Sequence, residues 1–104
     1  MSILKDIINE EQERLKRLKQ KYIREIKLLP KGAISKKERN GRFYLYLTSR
    51  KKEKVVSEYI GNWESEKAKS VIKKIEQRKI IEDKLKKVKK NLQELERVLD
   101  GKKI

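Results

Sequence analysis

Cysteine and histidine are both missing from this chain. Without cysteine there are no disulfides and no thiolate metal sites. Without histidine the commonest general base and the commonest metal ligand are gone too. Glycine is scarce and scattered: the four glycines stand singly, and Lys31-Gly32 lacks the rest of a phosphate-cradling loop. No stretch approaches the roughly 18 consecutive apolar residues of a membrane span, and the first residues lack the apolar core of a secretory signal. A cytoplasmic protein without a membrane segment is the expectation. Acidic residues are few as well, 16 against 31 lysines and arginines, for a formal charge of +15 over 104 residues. A small domain with that excess resists compaction and attracts polyanions.

An apolar share of 36% beside a charged share of 45% fits either disorder or a coiled coil, and periodicity separates the two. Leu4, Ile8, Leu15, Leu18, Tyr22 and Leu29, with Glu11 and Glu25 in the gaps, follow steps of four and three. This predicts a helix over 3–29. Ser2 is placed to cap it, Asp6 suits its first turn, and Pro30 and Gly32 stop it. Ile81, Leu85, Val88, Leu92, Leu95 and Leu99 repeat the pattern, and Ala68, Val71, Ile72 and Ile75 extend it upstream with a phase shift near Arg78. A second helix over 63–99 follows, with Asn62 or Ser65 as its cap and Gly101 past its end. Two such stripes suggest an antiparallel hairpin, and its partly uncovered seam suggests a homodimer.

Residues 31–62 have a different period. Asn40-Gly41 is a two-residue hairpin turn by type. From Arg42 to Thr48, Phe43, Leu45 and Leu47 alternate with Tyr44, Tyr46 and Thr48, as a strand requires. Ser49–Lys54 reads as a polar turn and Val55–Ile60 as a further strand. The expected architecture is α+β: a single domain, 1–104, in which a long helical hairpin holds a three-stranded antiparallel meander between its helices. So small a sheet needs a cover, which the first turns of the second helix can provide.

Catalysis finds little support. Tyr59-Ile60-Gly61 after Tyr44 and Tyr46 raises the GIY-YIG nucleases. The first element of that pattern lacks its glycine and isoleucine, however, and Lys67 and Lys69 stand where its arginine belongs. Ser35, Ser49, Ser57, Ser65 and Ser70 have no histidine to activate them, and Glu82-Asp83 lies among lysines as a solvated helix face. The expectation is no enzyme, no metal and no cofactor.

The charge is unevenly distributed. Residues 1–13 are net acidic and 91–104 net neutral, so the whole excess lies in 14–90. Arg14, Arg17, Lys21 and Arg24 share one helix face, and Lys84, Lys86, Lys87, Lys89 and Lys90 crowd another helical run. In the meander, Lys36, Lys37, Arg39, Arg42, Arg50, Lys51, Lys52 and Lys54 join Tyr44 and Tyr46 as candidate nucleic-acid contacts. Tyr44, Tyr46 and Tyr59 either pack under the helix or stand ready to stack on bases, packing being the commoner fate.

The segments Gly32-Ala33-Ile34-Ser35-Lys36-Lys37, Asn40-Gly41-Arg42-Phe43-Tyr44-Leu45-Tyr46 and Lys54-Val55-Val56-Ser57 resemble the AP2-like arm-type DNA-binding domain of phage integrases, over about residues 32–75. The resemblance implies a three-stranded sheet followed by a helix, with strands that read DNA in the major groove. By position it implies contacts from Lys36, Arg39, Arg42, Tyr44, Tyr46 and Lys54. Long helices flank this segment on both sides, a departure from that family's pattern. The LPKGAIS…FYLYL…YIG core is also similar to small uncharacterised phage and archaeal proteins, which suggests a mobile-element provenance. The sequence therefore points to non-catalytic nucleic-acid binding, DNA ahead of RNA. The alternative is a protein-interaction module or inhibitor that grips through the helical hairpin, a phage-borne protein aimed at a host nucleoprotein such as a CRISPR effector being one form of it.

Overall fold

The computed structural model describes residues 3–101. Ser2, the expected cap of the first helix, lies outside them. The order is α1 (Ile3–Lys27), β1 (Ala33–Arg39), β2 (Arg42–Lys51), β3 (Lys54–Asn62) and α2 (Glu66–Asp100). It is an α+β chain with a three-stranded antiparallel sheet, ordered β1-β2-β3, between two helices. No helix among the described residues is long and apolar enough to cross a membrane. The elements fall into two compact units: residues up to Leu28 with those from Ile80 onward, and Leu29–Lys79.

The first unit is a helix pair. Leu15, Val88 and Leu92 form its buried cluster, with Leu18, Tyr22 and Leu95 packed against it. All six are seam positions of the heptad stripes, and each fully buried aliphatic side chain contributes about 2 kcal/mol. α1 ends two residues short of the expected Leu29. The Leu28 amide closes a tighter turn onto the Glu25 carbonyl at 3.2 Å, and Pro30 then has no N–H with which to continue.

The second unit holds the sheet and the first turns of α2. Leu45 and Leu47 of β2 are buried, as are Ala68 and Ile75 of α2, and Leu45 and Ala68 are wholly shielded from solvent. Gly32 leads into β1 where a Cβ would come within 2.8 Å of the Thr48 carbonyl, so a side chain has no room there. α2 starts at Glu66 rather than at Trp63, because residues 62–65 form the capping turn. The Asn62 Oδ1 accepts from the Glu64 amide at 3.0 Å, and the Ser65 Oγ accepts from the Ala68 amide at 3.2 Å. Both candidate caps are thus used in succession, Ser65 as the cap proper. The phase shift near Arg78 coincides with a long-range bond from its guanidinium to the Leu29 carbonyl, 2.9 Å.

The two hairpin turns have the same geometry and different residues. Asn40 and Gly41 take φ of 53° and 77°, as their types favour. The expected polar turn over Ser49–Lys54 is in fact only Lys52-Glu53, at φ 46° and 67°, because β2 runs on to Lys51. Neither residue favours left-handed backbone, which costs roughly 1 kcal/mol or more at each. The double substitution Lys52→Asn with Glu53→Gly should therefore raise stability by about 1 kcal/mol after the entropic cost of glycine. In a thermal melt this appears as a rise of about 4–8 °C. A lower melting temperature would contradict the assignment of this turn.

Candidate nucleic-acid interface

Strand register decides which side chains share a face, since paired residues in an antiparallel sheet point the same way. β1 pairs with β2 as Ile34 to Leu47, Lys36 to Leu45, Lys37 to Tyr44 and Arg39 to Arg42. β2 pairs with β3 as Leu47 to Glu58, Tyr46 to Tyr59, Arg50 to Val55 and Lys51 to Lys54. The face of the buried Leu45 and Leu47 therefore also carries Lys36, Glu38, Lys51, Lys54 and Glu58. The opposite face carries Lys37, Arg39, Arg42, Tyr44, Tyr46, Arg50 and Tyr59. Both acids of the strands fall on the leucine side, so the tyrosine face has four cations and no carboxylate.

That face is open: Lys37, Arg39, Arg42 and Arg50 are exposed, Tyr44 and Tyr46 half-buried, and Tyr59 is 54% exposed. The tyrosines do not join the leucine core, so packing under the helix is not their role. They form a cluster of their own, in which the Tyr59 ring lies 6.1 Å from that of Tyr44 and 5.5 Å from that of Tyr46, tilted by 53° and 60°. The Lys37 ammonium sits 4.4 Å from the centre of the Tyr46 ring. Such contacts hold the rings in place and are each worth about 0.5–1.5 kcal/mol. Arg39, Asn40, Tyr44, Tyr46 and Tyr59 line a shallow cavity of about 360 Å³.

A bulge in β3 builds this cluster. Between Leu45 and Tyr46 the register slips, so that Gly61 sits opposite Leu45 while Tyr59 sits opposite Tyr46, and Ile60 is the extra residue. The Tyr59-Ile60-Gly61 triplet thus has a structural use: one residue for the open face, one for the bulge, one beside the core. A Cβ at Gly61 would lie 3.3 Å from the Ser65 Oγ that caps α2.

The ten candidate contacts therefore divide. Lys37, Arg39, Arg42, Tyr44, Tyr46 and Arg50 come together on the open face. Lys36, Lys51 and Lys54 belong to the other face, and Lys52 stands in the turn. Lys36 is committed to aromatic contacts, its ammonium 4.3 Å from the Phe43 ring centre and 4.8 Å from that of Trp63. Tyr59 belongs with the open-face set and was absent from it at the sequence level. Like charges oppose each other beside both turns, Arg39 against Arg42 and Lys51 against Lys54. Such pairs are unfavourable in the free protein and are relieved when an anion lies between them.

Two cations of α1 are held by acids on the same helix. Arg14 donates two hydrogen bonds to the Glu11 carboxylate, which holds that carboxyl below its ordinary range and raises the guanidinium. The Lys16 ammonium lies 3.9 Å from Glu13. Among the described residues, Lys37, Arg39, Arg42 and Arg50 form no ion pair. No group of three acidic side chains among the described residues could hold a metal ion.

No curated protein and no solved structure matches the chain. A family model does match, over residues 4–70, which takes in α1, the whole sheet and the first turn of α2. All ten candidate contacts and Tyr59 lie within that span, and the chain belongs to the family described as a domain of unknown function (DUF6788).

Proposed function

We propose that this protein binds nucleic acid without catalysis, by laying the tyrosine face of its sheet against the phosphate backbone. The observation that carries this reading is the sorting of charge: four cations and no acid on the open face, both strand acids on the other. The leucine side carries Lys36, Lys51 and Lys54 beside those acids, so bases lie on both faces and acids on one. A surface charged only to keep the protein in solution would have no reason to keep acids off one face. Arginine supplies three of the four cations, and its planar fork matches phosphate oxygens in pairs. DNA ranks ahead of RNA as the ligand, in keeping with the integrase-arm resemblance, and a cytoplasmic setting suits it.

Binding to duplex DNA, single-stranded DNA and structured RNA across a salt series, with magnesium present and the products run on a gel, tests this. Four phosphate contacts predict a log–log salt slope of about −3 to −4, with the nucleic acid left intact. Weak binding that is equal for all three and gone at about 0.15 M salt would overturn the reading.

One observation favours a second role. Ile3, Leu4 and Ile7 of α1 are 79%, 56% and 56% exposed, an apolar cluster the sheet does not use. It suits a second copy of the chain or a protein partner that the helix pair grips, as an inhibitor of a nucleoprotein would.

A further inference from the structure

We infer that the tyrosine cluster is a stacking platform for unpaired bases, which makes single-stranded nucleic acid the preferred ligand of the open face. This rests on the nucleic-acid reading above and narrows it.

Three features of the face support the inference. Tyr59 is the most exposed of the three rings and stands between the other two, so its outer side is presented to whatever lies on the sheet. Tyr44 and Tyr46 are half-buried and serve as its walls, and Lys37 already covers part of Tyr46. Arg39 and Asn40 line the same cavity as these rings, which places a guanidinium for a phosphate beside aromatic surface for a base. A cation flanking an aromatic surface is the combination by which single strands are held without base-pair readout.

The geometry also argues against a duplex as the best ligand. In a duplex each base face is covered by its neighbours, so an exposed ring could reach only base edges or sugars. A single strand can turn a base onto Tyr59 while its phosphates follow the arginines. Arg42 and Arg50 lie eight residues apart on β2, roughly 27 Å at strand rise, which gives the backbone a track past the tyrosines. Cross-strand packing alone would account for Tyr44 and Tyr46. It gives no reason for a ring as exposed as Tyr59 to sit beside an arginine-lined hollow.

The test compares oligo(dT) of about 12 nucleotides with an abasic strand of the same length and a duplex of the same length, at fixed low salt. The abasic strand keeps every phosphate and removes every base. The wild-type chain should bind oligo(dT) about tenfold or more tighter than the abasic strand, and tighter than the duplex. Tyr59→Leu, which keeps an apolar cross-strand partner, should bring oligo(dT) down towards the abasic affinity and leave abasic binding unchanged. Thermal melts of both proteins confirm that the fold is retained. Equal affinity for oligo(dT) and the abasic strand would overturn the stacking inference and leave phosphate binding standing. So would a preference for the duplex, or an undiminished preference for oligo(dT) in Tyr59→Leu. If none of the three ligands binds, the nucleic-acid reading fails with it.

Discussion

Replacing Arg39, Arg42 and Arg50 together by glutamate is expected to lower nucleic-acid affinity at least about 100-fold at about 0.15 M salt, and to flatten the salt slope by roughly two to three units. Each arginine that leaves a phosphate returns about one condensed counterion to the strand, and each glutamate adds a repulsion. Reversing Lys51 and Lys54 is the matched control. Those two are equally basic and equally close in sequence, but the register puts them on the leucine side of the sheet. Their reversal should cost less than about tenfold, mainly through the general field of the protein. An account in which only net charge matters predicts that losses follow the number of charges reversed, whichever face they come from. A measured loss for Lys51 and Lys54 as large per residue as for the arginines would sink the face assignment.

The largest expected effect on stability is at Leu45. It is fully buried on the middle strand, in the unit that also buries Leu47, Ala68 and Ile75. Leu45→Ala removes its transfer energy and leaves a cavity that a three-stranded sheet has few other side chains to fill. A loss of about 3 kcal/mol follows, or a fall of roughly 12–24 °C in melting temperature. Leu4→Ala, at a seam position that is 56% exposed, should change stability by no more than about 0.5 kcal/mol. If the two variants melted alike, Leu45 would not be the core residue described here. Below its melting range Leu45→Ala should still bind nucleic acid with unchanged affinity, since it alters only the opposite face.

The helices and the sheet were legible in the sequence because their periods differ. Leu15, Val88 and Leu92 stand out as seam positions by spacing alone, and all three are buried. Asn40-Gly41 announced its turn because each residue accepts positive φ. Lys52-Glu53 takes the same conformation with residues that do not advertise it, so the polar run of Ser49–Lys54 concealed two strand ends. That error hid the face of Lys51 and Lys54. The face of Lys36 was recoverable, since a two-residue turn at 40–41 pairs Arg39 with Arg42 and hence Lys36 with Leu45. Tyr59 was not recoverable in the same way. Its place beside Tyr46 depends on the bulge at Ile60, which Gly61, a lone glycine within β3, hints at without fixing the register.

The central claim is that one face of the sheet meets the ligand, and side-chain NMR during titration with a single-stranded oligonucleotide tests it most directly. The arginine Nε–H signals of Arg39, Arg42 and Arg50 and the ring signals of Tyr44, Tyr46 and Tyr59 should shift first and furthest. The signals of Arg14, Arg17 and Trp63 should move little. Shifts concentrated on the helical arginines and the lysines from Lys84 to Lys90, with the tyrosine face unchanged, would contradict the account.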